Sequence, residues 1–194
     1  MKNSKQSHIF AATILTILLV LSGCSTYNVN KPELTPEKTT DYEKQIEDAL
    51  TQLENKDLTI EEKVTAMQTE GIGYERLGKY DNAIKIYEEI LKIAPTNFIA
   101  LNNLTAIYEE AGDLVLARKY VGILHNAYKN DAELNQGVVG DSILILVKNK
   151  EFDTALNVLQ EYAKNYQSKE TTAFISDQYE YIGRMKKAAE ETSK

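Results

Sequence analysis

The 194-residue chain has a single cysteine, Cys24, and only two histidines, His8 and His125. One thiol cannot close a disulfide within the chain, and so few soft ligands cannot assemble a Cys/His metal cluster. Stability must come from packing. Basic residues are also in deficit, with 22 Lys+Arg against 29 Asp+Glu and a net charge of −7. Affinity for nucleic acid or anionic headgroups comes from neutralising phosphates with Lys and Arg, so this balance argues against both. No stretch alternates apolar and polar residues as a half-buried strand does, and no β-hairpin signal occurs. The apolar run from Ile9 to Leu21 is 13 residues long, where a membrane-spanning helix needs ~20.

That short run is preceded by Lys2 and Lys5 with no acidic residue, and it leads into Leu21-Ser22-Gly23-Cys24. A positive n-region followed by a short apolar h-region is the layout of an export signal. The four residues ending at Cys24 resemble a bacterial lipobox. The resemblance implies cleavage before Cys24, diacylation of its thiol and loss of residues 1–23 as a lipoprotein signal peptide. It also implies an extracytoplasmic, membrane-anchored location, on the outer face of the cell membrane or, in a Gram-negative cell, at the outer membrane. One acyl chain binds only marginally at ~0.8 kcal/mol per buried methylene, whereas two or three on one cysteine hold firmly. The expected mature chain has 171 residues and a net charge of −9.

Ser25 to Thr40 reads STYNVNKPELTPEKTT, with two of the three prolines and few apolar residues. Such a segment buries too little surface to offset its own ordering and predicts a disordered tether over 24–40. From residue 41 helical periodicity runs to residue 194, punctuated by Gly78, Pro95-Thr96-Asn97, Gly112, Asn149-Lys150 and Gly183. Thr59 with Glu62 predicts a capping box, and Asp81 a cap for the next helix. The fold class expected is all-α, built of short paired helices.

Within 71–95 the residues Gly71, Tyr74, Leu77-Gly78, Tyr80, Ala83, Tyr87, Ile90 and Pro95 resemble the tetratricopeptide repeat at nearly every signature position. The pattern returns 34 residues later as Tyr108, Gly112, Leu114, Ala117, Val121 and Leu124. It recurs as Leu146, Phe152, Ala155, Leu159 and Tyr162, and again as Tyr179, Ile182-Gly183, Met185 and Ala188. Ala83, Ala117, Ala155 and Ala188 share the slot where two helices of a pair cross closely and a methyl is the largest group that fits. Tyr74, Tyr108 and Tyr179 read as core aromatics between pairs. Gly78, Gly112 and Gly183 suit the left-handed residue after the first helix. The resemblance implies a solenoid of about three to four repeats over 41–194. A leading helix at 41–56 is followed by repeats near 64–97, 98–131 and 136–168 and a partial repeat at 169–194.

The family's tryptophan position holds Met67, Leu101, Val139 and Thr172, and the third pair lacks the turn glycine. Gly137 and Gly140 inside its first helix leave a bend, a tight crossing and a late helix start all open. In tetratricopeptide proteins the first helix of each pair lines a concave groove for a peptide or partner helix. By position that groove would carry Thr65, Gln68, Thr69, Ile72 and Glu75 from repeat one. Ile99, Asn102, Asn103, Ala106 and Glu109 would come from repeat two, and Asp141, Leu144 and Lys148 from repeat three. The chaperone-binding sub-family clamps a carboxylate at five positions that here hold Gln68, Ile72, Asn103, Gly137 and Asp141. Only Asn103 agrees, so that function does not carry over.

Catalysis has little support in the sequence. His125 lies in a predicted second helix with no cysteine or serine set to complete a nucleophile. Paired acids such as Glu88-Glu89 and Glu109-Glu110 are adjacent, and adjacent helical residues do not face one another. Gly71-Ile72-Gly73 lies inside a helix without the preceding strand that a dinucleotide loop requires. The expectation is a non-enzymatic, cofactor-free, lipid-anchored envelope protein that binds a protein or peptide partner and no nucleic acid. A regulatory subunit of an envelope enzyme and a small-ligand-binding lipoprotein are the alternatives.

Overall fold

The computed structural model describes residues 34–131 and 134–193. The expected signal peptide and Cys24 lie outside the described residues, as does the tether up to residue 33. Among the described residues the chain forms eight α-helices and no strand. They are α1 (Pro36–Leu53), α2 (Ile60–Arg76), α3 (Tyr80–Ile93), α4 (Phe98–Glu110), α5 (Leu114–Tyr128), α6 (Asn135–Lys148), α7 (Phe152–Asn165) and α8 (Lys169–Thr192). None of them is long and apolar enough to cross a membrane.

Three antiparallel pairs, α2/α3, α4/α5 and α6/α7, stack in chain order, with α1 laid on α2 and α8 on α7 and α6. The turn inside each pair is built the same way. Gly78, Gly112 and Lys150 take left-handed φ values of 67°, 78° and 61°. In the first turn Gly78 N donates to Glu75 O and Lys79 N to Tyr74 O. The same two bonds recur as Gly112 to Glu109 with Asp113 to Tyr108, and as Lys150 to Val147 with Glu151 to Leu146. This is a Schellman motif, which satisfies carbonyls the helix would leave unpaired. The third pair keeps the turn without the glycine.

Ala83, Ala117 and Ala155 are each fully buried where the two helices of a pair meet. Gly71 and Gly73 serve opposite sides of α2. A Cβ on Gly71 would lie 2.7 Å from Tyr87 Cε1, and one on Gly73 would lie 2.6 Å from Ile46 Cγ1. The glycines let α3 and α1 approach α2 together. Ile46 and Ala49 are the buried residues of α1.

The core falls into two clusters. One runs from Val64 to Leu124 and takes in Val138 and Ile145 of α6. The other gathers Val139, Ile143, Leu146 and Val147 of α6 with Ala155, Leu159, Tyr162 and Ile182. Helix α6 is therefore apolar on two sides and forms the wall between them. Bridges one repeat apart tie the pairs together: Tyr120 OH donates to Glu88 Oε1 at 2.8 Å and Tyr128 OH to Thr96 O at 2.7 Å. Arg118 Nη2 donates to Glu151 Oε2 at 2.6 Å, Lys129 Nζ to Glu161 Oε1 at 3.0 Å and Lys186 Nζ to Asp153 Oδ1 at 3.0 Å.

The structure corrects four expectations. Helix α1 begins at Pro36 instead of residue 41, because Thr35 caps it by accepting from Lys38 N at 3.3 Å and Pro36 suits the first helical position. Residues 36–40, expected in the tether, are helix. Asp81 is not a cap: the Gly78 turn starts α3 at Tyr80, with Lys79 at the cap position, and leaves Asp81 in the first turn, near the positive end of the helix dipole. Residues 169–192 are one continuous helix and not a broken pair. Gly183 has no left-handed φ, and Lys186 stands at the register of Asp81 and Asp153 in the first turns of α3 and α7. Ala188 is exposed, as are Tyr179 and Met185 at 39% and 41%. Because α8 does not turn back on itself, Ala188 meets no first helix of its own pair as Ala83, Ala117 and Ala155 do. Finally, α6 runs unbroken from Asn135, and Gly137 meets nothing within 4 Å while Gly140 makes only ordinary contact with Phe174. A tight crossing at these glycines and a helix start beyond them are both excluded, since α6 includes Gly137 and Gly140 from its first turns.

Candidate functional site

Helices α2, α4 and α6 are the first members of the three pairs, and their outward stripes carry the thirteen predicted groove residues. The two halves of this surface differ. Between α2 and α4 the polar side chains are spent on holding the repeats together. Gln68 Nε2 donates to Asn97 Oδ1 at 3.0 Å, and the same oxygen caps α4 by accepting from Ala100 N at 3.0 Å. Tyr87 OH rises from α3, donates to Glu75 Oε2 at 2.9 Å and accepts from Asn103 Nδ2 at 2.8 Å. Burial raises the Glu75 carboxyl above its ordinary range, the Tyr87 hydroxyl and Arg76 opposing and Glu110 adding. The Tyr87 hydroxyl is likewise pushed far up, first by burial and then by Glu75. Thr65 and Thr69 turn their hydroxyls back to Glu61 O and Thr65 O of their own helix. Ile72 packs against the first cluster, and Ile99 is half-buried.

Between α4 and α6 the surface stays open. Asn102, Thr105, Ala106 and Glu109 face Asp141, Leu144 and Ile145 across a depression of about 200 Å³. Lys148 bonds Glu109 across it. Burial raises Asp141, and the neighbouring Glu109 carboxylate adds to the shift. The predicted set omits Thr105 and Ile145, although a signal existed. Asn102, Thr105, Ala106 and Glu109 are one i, i+3, i+4, i+7 stripe, and Asp141, Leu144, Ile145 and Lys148 are the same stripe on α6. Asn103 belongs to the adjoining stripe, which explains why it reaches Tyr87 instead.

A second depression of about 160 Å³ lies between α5, α6 and α7, lined by Arg118, Val121, Gly122, His125, Asn126, Ser142, Leu146, Thr154 and Val158. Both are smaller than the ~300 Å³ at which small-molecule pockets begin. His125 sits at this seam, its Nδ1 buried without a hydrogen-bond partner. Burial lowers its pKa, Glu161 opposes and Lys129 adds to the lowering. Among the described residues no group of three His, Cys, Asp or Glu side chains could hold a metal ion.

Residues 64–97 match the tetratricopeptide repeat family. The match covers α2 from Val64 onward, α3 and the turn into α4, and the pair so identified is the one with the most complete signature. A solved structure titled MamA AMB-1 is similar with 21% identity and a TM-score of 0.49, covering 79% of this chain and 87% of that one. No curated protein matches the chain. The described residues form an all-helical stack of antiparallel pairs, one of which matches the tetratricopeptide repeat, with the α4–α6 depression on the side formed by the first helices of the pairs.

Proposed function

We propose that the protein is a lipid-anchored scaffold of the cell envelope that holds a segment of a partner protein along α2, α4 and α6. The observation that carries the reading is the contrast between the two halves of that surface. Where α2 meets α4, side chains bond one another across the gap, whereas the matched stripes on α4 and α6, joined at the mouth by the Lys148–Glu109 pair, leave a recess with aliphatic and polar walls. Such a surface binds by shape and a few placed polar groups, and needs no reacting set.

The anchor half of the proposal rests on Cys24 and the lipobox-like residues before it. A photo-crosslinking side chain at Ala106, compared with one at the exposed Val115 of α5, tests the binding half in intact cells. A product found at Ala106 and absent at Val115 is expected, and equal products at both would refute the groove. Cys24→Ala should abolish incorporation of a labelled fatty acid and release the protein from membranes, and unchanged membrane retention would refute the anchor.

A further inference from the structure

Resting on that reading, we propose that the depression between α4 and α6 is the anchor site for a lysine or arginine side chain of the bound segment. Its walls carry one carboxylate from each helix, Glu109 and Asp141. The cation at its mouth, Lys148, is committed to Glu109. The Asp141 carboxylate makes no hydrogen bond or ion pair among the described residues. The two carboxylates therefore have one counter-charge on the walls between them, and it is bonded to Glu109 and not to Asp141. A second cation supplies the partner that Asp141 lacks.

The remaining lining suits the rest of such a side chain. Ala106, Leu144 and Ile145 offer a short aliphatic wall, against which a lysine or arginine stem lies while its charged head stays near water and the carboxylates. An acidic side chain would meet like charge, and a neutral one would cover Asp141 without pairing it. The other half of the groove cannot serve in this way. Its carboxylate, Glu75, already accepts from Tyr87.

The test is selection from a phage-displayed library of random dodecapeptides on the full chain in detergent, followed by affinity measurement on synthetic copies of the enriched peptides. Groove binders are those lost on Ala106→Trp, and on Ala106→Lys should the tryptophan variant fail to keep its helical circular dichroism. Groove binders are expected to share a lysine or arginine at one position. Replacing it by norleucine and changing Asp141→Asn should each weaken binding about fivefold, the upper range for a partly exposed charge pair. The two changes together should cost no more than either alone. Groove binders without a common cation, or ones indifferent to Asp141→Asn, would overturn the anchor and leave the groove reading standing. If no enriched peptide is sensitive to Ala106, the groove reading falls and the anchor falls with it.

Discussion

Replacing Lys150 by glycine should make the protein more stable, although it removes a side chain and adds no contact. Lys150 holds a φ of 61° on an exposed turn, in a Schellman geometry that the first two pairs assign to glycine. An L-residue in the left-handed region costs about 1–2 kcal/mol through the clash of its Cβ with the following carbonyl. Glycine avoids that clash but gives the unfolded chain more freedom, which takes back about 0.4–1 kcal/mol. The net expectation is a gain of about 1 kcal/mol, or about 2–4 °C in Tm for a chain of this size. Urea unfolding followed by helical circular dichroism measures it, and hydrogen exchange on α7 shows whether the gain is local to the third pair. Two controls separate backbone from contact effects. Neither Gly112 nor Gly122 has an atom within 4 Å of where a Cβ would stand. Gly112, at φ 78°, should lose about 1 kcal/mol on change to alanine. Gly122, inside α5, should gain about 1 kcal/mol from the better helix former. If Lys150→Gly is neutral or destabilising while the two controls behave as stated, the turn is not strained and the reasoning fails.

Gly71→Ala should destabilise by about 1–3 kcal/mol, because the new methyl would stand 2.7 Å from a Tyr87 ring that is fully buried and held by Glu75 and Asn103; urea midpoints measure this, and a neutral result would show that α2 and α3 can part freely. His125 is held below its ordinary 6.5 by burial, so the unfolded chain takes up a proton that the folded chain resists. Its contribution is complete above about pH 6.5 and declines as the pH falls toward the folded value. His125→Gln should therefore flatten the stability profile below about pH 6.5, read as the difference between variant and parent so that the carboxylates cancel; an unchanged slope would refute the assignment. Breaking the Lys148–Glu109 pair with Lys148→Met should cost no more than about 1 kcal/mol in the same unfolding assay, since both side chains are partly exposed, and a larger loss would mark it as a structural clamp.

The helix pairs were legible because their signals are local. The methyl slot at Ala83, Ala117 and Ala155, the glycine turns at 78 and 112 and the Thr59–Glu62 capping box each follow from a few neighbouring residues. Reading failed where a local pattern was not matched by the backbone. Gly183 and Ala188 carry the pattern of a further pair, yet Gly183 stays helical and α8 runs through both as one helix. At Lys150 the glycine is absent and only Asn149-Lys150 marks the break, yet the same left-handed turn and its two hydrogen bonds form all the same. The candidate site was half legible. Helical spacing placed Asn102, Ala106, Glu109, Asp141, Leu144 and Lys148 on facing stripes, but no sequence pattern reveals that Tyr87 reaches from α3 to occupy Glu75 and Asn103. That contact joins three helices and exists only after folding.

The bridges between successive pairs span 16 residues for Tyr87–Asn103 and up to 39 for Lys148–Glu109. Chain closure of this length is brief in search and modest in entropy, and topologies dominated by nearby partners fold quickly. A nascent chain of this kind has its earlier partners beside it as each pair emerges, and need not wait for its last residues before it begins to assemble.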